Sequence, residues 1–151
     1  MNARFFLPAL TLLAACSAQE PGAEPTDEAV RAASTGPGAV VEAYYAAISS
    51  RDYATAWQLW GQEPEEDTEA FERFKSGFTD TELTAVEIGR ISSPSVSNGV
   101  ATVSVGVEVD DLLSDGTGRS YDGIYRLRRP VDGTGDWHIV SGDLGVVPAR
   151  D

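Results

Sequence analysis

The stretch that decides the fold is residues 101–109, which read ATVSVGVEV. Every second residue, from Ala101 to Val109, is apolar, and the residues between them are threonine, serine, glycine and glutamate. An apolar residue at every second position is the period of a β-strand with one buried face and one face in solvent. We therefore predict a half-buried strand here, in the middle of an antiparallel sheet.

Further strands flank this one on both sides. Before it, Val86 and Ile88 predict a strand, and Ser97-Asn98-Gly99 predicts a hairpin between the two. After it, apolar residues at alternate positions predict a strand around residues 121–127 and another at 137–140. Each of these two follows a turn with the sequence Asp-Gly-Thr-Gly, which favours a tight connection. Four strands are therefore expected.

Three helices are predicted before the strands, because apolar residues there recur at intervals of three and four. The first begins at Ala39, the second is capped by Asp52 and ends at Gly61, and the third begins near Pro64 and ends at Gly77. Helices followed by strands with short connections predict an α+β fold. Its N-terminal helices would pack on an antiparallel sheet of four or more strands.

The first sixteen residues have the pattern of an export signal that ends in a lipid anchor. Arg4 precedes an apolar run that is shorter than the roughly 20 residues a membrane-spanning helix needs. The run ends in Leu13-Ala14-Ala15-Cys16, which resembles the lipobox of bacterial lipoproteins. In that family the cysteine thiol receives a diacylglyceryl group, and cleavage makes the modified cysteine the new N-terminus. The resemblance implies a signal peptide at residues 1–15 and lipidation of Cys16.

The segment after the anchor is predicted to be a tether. Residues 16–37 are mostly Ala, Glu, Pro, Gly, Ser and Thr, which bury too little apolar surface to offset the entropy of ordering. Residues 38–151 then form one domain. Ser17 follows the cysteine, whereas an aspartate at that position tends to retain Gram-negative lipoproteins in the inner membrane. We therefore expect a lipid-anchored protein of the cell envelope, in the outer membrane and facing the periplasm.

Three segments of the predicted domain resemble a nuclear transport factor 2-like domain. They are YYAAI at 44–48, RDYATAWQLW at 51–60 and DWHIVSG at 136–142. The resemblance covers about residues 38–147 and extends to small bacterial envelope lipoproteins of unassigned function. It implies a cone in which a curved antiparallel sheet wraps around the helices, with a pocket between the helices and the concave face of the sheet.

Seven aromatic side chains are candidates for the wall of this pocket. They are Tyr45, Trp57, Trp60, Phe74, Tyr121, Tyr125 and Trp137. The same spacing also suits a packed core, because aromatic residues bury large apolar areas. The sequence leaves both interpretations open.

No complete catalytic set follows from the sequence. Asp143 shares the alternation of Trp137 and Ile139, so it is a weak candidate for a catalytic carboxylate at the mouth of the cone, with a tyrosine as donor. The valine face of the central strand offers it no acidic partner. His138, between two residues that need burial, is expected to face solvent.

Charge and composition exclude several classes of function. With 11 Lys+Arg against 24 Asp+Glu, the formal charge of −13 argues against nucleic acid as a partner. One cysteine and one histidine exclude an internal disulfide and a multi-histidine metal site. The acidic stretches at 63–69 and 110–111 lack the spacing of a calcium loop. We expect no metal and no cofactor.

Three functional hypotheses remain. The leading one is a non-enzymatic binding module for a partner protein or a small apolar ligand, held to the membrane through its lipid anchor. The alternative is a small isomerase- or lyase-like enzyme that uses a carboxylate and a tyrosine in the cone. The third is a structural module whose cone is filled by its own side chains.

Overall fold

The computed structural model describes residues 36–148, and the signal peptide, Cys16 and most of the predicted tether lie outside them. The described part has three helices followed by five strands. The helices are α1 (Pro37–Ser49), α2 (Tyr53–Gln58) and α3 (Thr68–Ser76), and the strands are β1 (Thr81–Ile91), β2 (Ser95–Ser97), β3 (Val100–Leu113), β4 (Gly118–Pro130) and β5 (His138–Val147).

The strands form one curved antiparallel sheet with the order β1-β3-β4-β5, in which β2 also pairs with β3. The three helices pack against it. This confirms the predicted α+β class and the position of the helices before the strands. The sheet has five strands, within the prediction of four or more.

The core lies between α1 and the concave face of the sheet. The predicted apolar face of β3 is buried along its whole length, from Ala101 to Val109. Val40 and Val41 of α1 and Leu127 of β4 are fully buried. Burial of this apolar surface is the main term that favours folding.

The helix ends follow local capping chemistry. The first helix begins at Pro37, two residues before the predicted Ala39, because proline is favoured in the first turn. Asp52 caps α2 as predicted, since its side chain accepts hydrogen bonds from the backbone N–H and the hydroxyl of Thr55, at 3.1 and 2.7 Å. The helix ends at Gln58, so Trp60 lies in the turn that follows it.

The predicted start of the third helix is wrong. The helix begins at Thr68, because Asp67 accepts a hydrogen bond from the Ala70 N–H at 2.9 Å and so caps it. Residues 64–66 form a separate turn before it. The predicted end at Gly77 is confirmed.

The predicted hairpin exists but joins a different pair of strands. Asn98 and Gly99 have φ values of 51° and 76°, the left-handed conformation of a two-residue hairpin turn. The turn connects the short strand β2 to β3. Pro94 lies in the interruption between β1 and β2, and proline cannot donate to a strand ladder.

A β-bulge in β5 changes which residues face the core. Leu127 pairs with Ile139 and Arg126 pairs with Ser141, so Val140 has no partner of its own. One extra residue reverses the alternation that follows it. Asp143 therefore pairs with Ile124 on the outer face and is exposed. This exposed position removes Asp143 as the weak candidate for a catalytic carboxylate at the mouth of the cone.

Candidate functional site

A cavity of about 500 Å³ lies between α1, the segment after α3 and the concave face of the sheet. We call it the aromatic cavity. Its wall comprises the aromatic residues Tyr44, Tyr45, Trp60, Phe78, Tyr121 and Tyr125, the polar and charged residues Asp80, Thr81, Thr84, Asp111 and Arg119, and the residues Gly77, Val109, Leu113, Gly142 and Leu144.

Four of the seven predicted pocket residues line the aromatic cavity. They are Tyr45, Trp60, Tyr121 and Tyr125. The other three predicted residues pack elsewhere, which sequence spacing does not distinguish from lining a pocket.

Trp57 and Phe74 pack against each other outside the aromatic cavity, with ring centroids 5.0 Å apart. Trp57 also contacts Phe71, so its ring joins α2 to α3. Trp137 is buried beneath Arg129, whose guanidinium carbon lies 4.9 Å from its ring centroid. The assignment of these three side chains to the pocket is therefore corrected to core and inter-helix packing.

Two buried tyrosines that share a hydrogen bond line the aromatic cavity. The hydroxyl of Tyr45, on α1, lies 2.8 Å from the hydroxyl of Tyr125, on β4, and the two share a hydrogen bond. Burial raises the pKa of both phenols, and of the adjacent Tyr44, well above the ordinary value near 10. The three hydroxyls therefore stay neutral at ordinary pH and act as hydrogen-bonding groups.

Asp111 is the acidic residue that the sequence analysis missed. The alternation of β3 continues beyond Val109, so Asp111 shares the buried face of the valines and lines the aromatic cavity. The earlier inference that this face offers no carboxylate is thus wrong. The alternation of β3 could have identified Asp111, which lies two residues past Val109. The sequence Asp110-Asp111 is also typical of a loop, and this concealed the continuation of the strand.

Three polar atoms of wall residues lack partners among the described residues. The Oδ1 atom of Asp111, the hydroxyl oxygen of Thr84 and the indole Nε1 of Trp60 are buried and make no hydrogen bond there. Thr84 of β1 pairs directly with Asp111 of β3, so the two residues are neighbours across the sheet. Buried polar atoms are usually hydrogen-bonded, and each exception requires an explanation.

Carboxylates outnumber cations in the wall of the aromatic cavity. Asp80 and Asp111 line the aromatic cavity together with a single cation, Arg119. Arg119 is exposed and pairs with Asp111 in the β3–β4 ladder. Between residues 36 and 148 the ion pairs within 4.0 Å are Arg73–Glu69 and Lys75–Glu72, and neither involves Arg119.

His138 lies away from the aromatic cavity. It pairs with Arg128 at the start of β5 and is half-buried, not fully exposed as predicted. The reason is the turn after α2: a Cβ atom at Gly61 would lie 3.3 Å from Cδ2 of the imidazole. The Ile139 N–H donates to the Leu59 carbonyl at 2.8 Å and holds this turn against β5.

Residues 36–148 contain neither a candidate metal cluster nor a helix that could span a membrane. No group of three or more His, Cys, Asp or Glu side chains in residues 36–148 could hold a metal ion. Within the same range, none of the helices has the length and apolar character needed to cross a membrane.

Comparison with known proteins gives a structural likeness. Neither a family model nor a curated protein matches the chain. A solved structure from Streptomyces avermitilis, described as a candidate dehydratase of the nuclear transport factor 2-like family, is similar to it, with 17% sequence identity and a TM-score of 0.48. The similarity covers 84% of this chain and 100% of that chain. The dehydratase description applies to that protein.

Proposed function

We propose that this protein is a lipid-anchored envelope protein whose aromatic cavity binds a small, largely apolar ligand without transforming it. The observation that supports the proposal is the cavity itself. Its volume of about 500 Å³ lies within the range of roughly 300–1,000 Å³ that is usual for ligand pockets. Its concave shape favours a small molecule over a partner protein.

The aromatic rings in the wall of the cavity pack against one another. Tyr44 contacts Tyr45, Trp60 and Tyr125, with ring centroids 5.1 to 6.1 Å apart and planes inclined by 64° to 75°. Such edge-to-face pairs contribute about 0.5–1.5 kcal/mol each beyond their area burial. A preformed wall lowers the entropy lost on binding.

A neutral fluorescent probe tests ligand binding. We expect N-phenyl-1-naphthylamine to bind and to gain fluorescence in the apolar surroundings. Leu144→Trp adds a bulky ring to the wall and is expected to weaken probe binding at least about tenfold, a loss of 1.4 kcal/mol or more. Ile124→Trp places the same ring on the outer face, where it should leave binding unchanged. Equal affinity of both variants and the unmodified protein for the probe would contradict binding in the aromatic cavity.

The membrane anchor is tested separately through Cys16. The resemblance of residues 13–16 to a lipobox supports lipidation of this cysteine, and the cysteine lies at least 20 residues before α1. We expect Cys16→Ala to abolish incorporation of labelled palmitate while the domain stays folded, because the thiol that would receive the lipid is absent. Ser34→Ala, also before α1, is the control and should incorporate the label as the unmodified protein does. Incorporation of the label by Cys16→Ala would contradict an anchor at Cys16.

A second candidate function is supported by one specific observation. Asp111, Tyr45 and Tyr125 line the same cavity, so a carboxylate and neutral hydroxyl groups face one space. An isomerase- or lyase-like reaction uses such a base to remove a proton and such a donor to stabilise the developing oxyanion. Exchange of deuterium from solvent into a bound ligand, lost in Asp111→Asn, would support this activity. A retained ligand that never exchanges would favour simple binding.

A further inference from the structure

We propose that the ligand of the aromatic cavity carries a primary ammonium group, which donates hydrogen bonds to Asp111 Oδ1 and to the hydroxyl oxygen of Thr84. This inference rests on the proposed function, because it requires that the cavity binds a small molecule. It adds the chemical class of the ligand and assigns two residues to its polar end.

The two acceptor atoms carry the argument. Both atoms are buried, the residues that bear them line the aromatic cavity, and neither atom has a hydrogen-bond partner in residues 36–148. The residues that bear them are direct cross-strand partners, so one small group between them can reach both. A buried acceptor without a partner is costly, and a carboxylate oxygen more so, which favours a ligand that supplies N–H donors.

The charges around the aromatic cavity favour a cation. Asp80 and Asp111 outnumber Arg119 in the wall, and the tyrosine hydroxyls are held neutral by burial. Aromatic ring faces attract cations in addition. The whole chain carries a formal charge of −13, which raises the local concentration of cations and repels anions.

A primary ammonium group fits this arrangement better than related groups. It has three N–H donors, so it can serve two acceptors at once. A quaternary ammonium has the charge but no N–H. An alcohol has one O–H donor and no charge. The apolar remainder of the ligand would lie against Trp60 and the tyrosine rings, which agrees with the largely apolar ligand proposed above.

Three matched compounds test the class of ligand by isothermal titration calorimetry at pH 7. They are 2-phenylethylamine, 2-phenylethanol and trimethyl(2-phenylethyl)ammonium. We expect the primary amine to bind at least about tenfold more tightly than the alcohol and the quaternary ammonium, because a hydrogen bond to a charged group contributes more than a neutral one. Equal affinity for the amine and the alcohol would overturn the proposal. So would tighter binding of the quaternary ammonium.

Matched variants locate the ammonium group. Asp111→Asn should lower the affinity for 2-phenylethylamine at least about tenfold, and Thr84→Val should lower it by a smaller factor. Asp110→Asn is the control, because Asp110 is the adjacent residue in the chain but is exposed on the outer face, where it accepts a hydrogen bond from Ser120. The same loss in Asp110→Asn as in Asp111→Asn would contradict a local contact. If Asp111→Asn did not fold, titration of the unmodified protein with the three compounds would still test whether the ligand carries a primary ammonium group.

The neutral probe separates this proposal from the proposed function. If N-phenyl-1-naphthylamine binds but the amine binds no more tightly than the alcohol, the cavity binds ligands and the assignment of an ammonium group to its ligand is wrong. If neither the probe nor the amine binds, the proposed function itself fails, and this proposal fails with it.

Discussion

Replacement of Gly123 by alanine is expected to cause a large loss of stability. Gly123 of β4 pairs with Leu144 of β5, and a Cβ atom at this position would overlap the carbonyl oxygen of Asp143 and lie 2.7 Å from Cα of Leu144. Both obstacles are backbone atoms, so they cannot turn aside as a side chain would. Relief requires β5 to move away from β4. We expect a loss of at least about 3 kcal/mol, the upper part of the range for overpacking, by urea denaturation.

Gly118→Ala is the matched control for Gly123→Ala. Gly118 lies in the same strand, its φ is not positive, and a Cβ atom there would have no heavy atom within 4 Å. Its free energy of unfolding should stay within about 0.5 kcal/mol of the unmodified protein. Similar stabilities for the two variants would mean that β5 does not approach β4 as described.

Leu127→Ala is the second change with a large expected effect. Leu127 has no exposed surface and pairs with Ile139, which is also fully buried. Truncation of a fully buried leucine costs about 2–5 kcal/mol, because apolar contacts are lost and a void remains. Urea denaturation of the purified domain measures this loss.

Ile124→Ala provides the comparison for Leu127→Ala. Ile124 lies three residues earlier in β4, on the outer face, with 49% of its surface exposed. Its truncation should change the free energy of unfolding by less than about 0.5 kcal/mol. The reverse order of the two effects would place the core on the other face of the sheet.

Much of the fold could be predicted because it depends on periodicity. The valine face of β3 identifies a buried strand without any long-range information, and the same holds for the apolar stripe of α1. Asp52 and Gly77 mark helix ends through local hydrogen bonding and backbone freedom. These features depend on residues close in the chain, so a single sequence contains them.

The errors concern features that depend on distant residues or on competing local signals. Pro64 and Asp67 both favour a helix start, and the side-chain cap of Asp67 prevailed. The bulge at Val140 arises from pairing with β4, and nothing in residues 137–143 indicates it. That bulge alone turned Asp143 to the outer face.

The candidate site likewise has residues that local patterns predict and residues that depend on contacts between distant parts of the chain. Tyr45 and Tyr125 follow from the apolar faces of their elements, whereas Trp57 has equally suitable spacing and packs between two helices. Asp111 follows from strict alternation along β3, provided that the strand is allowed to continue past Val109. The partnership between Asp111 and Thr84 requires the register of β1 against β3, which the sequence does not specify.

The bulge at Val140 also determines where the chain can change in length. In a regular ladder, the loss of one residue reverses the face of every residue that follows. Because Val140 has no partner of its own, a chain without it can keep Leu127 opposite Ile139 and Arg126 opposite Ser141. Related domains can therefore lack a residue at this position and keep the same cavity wall. Most other single deletions in β5 would turn the residues that follow to the opposite face of the sheet.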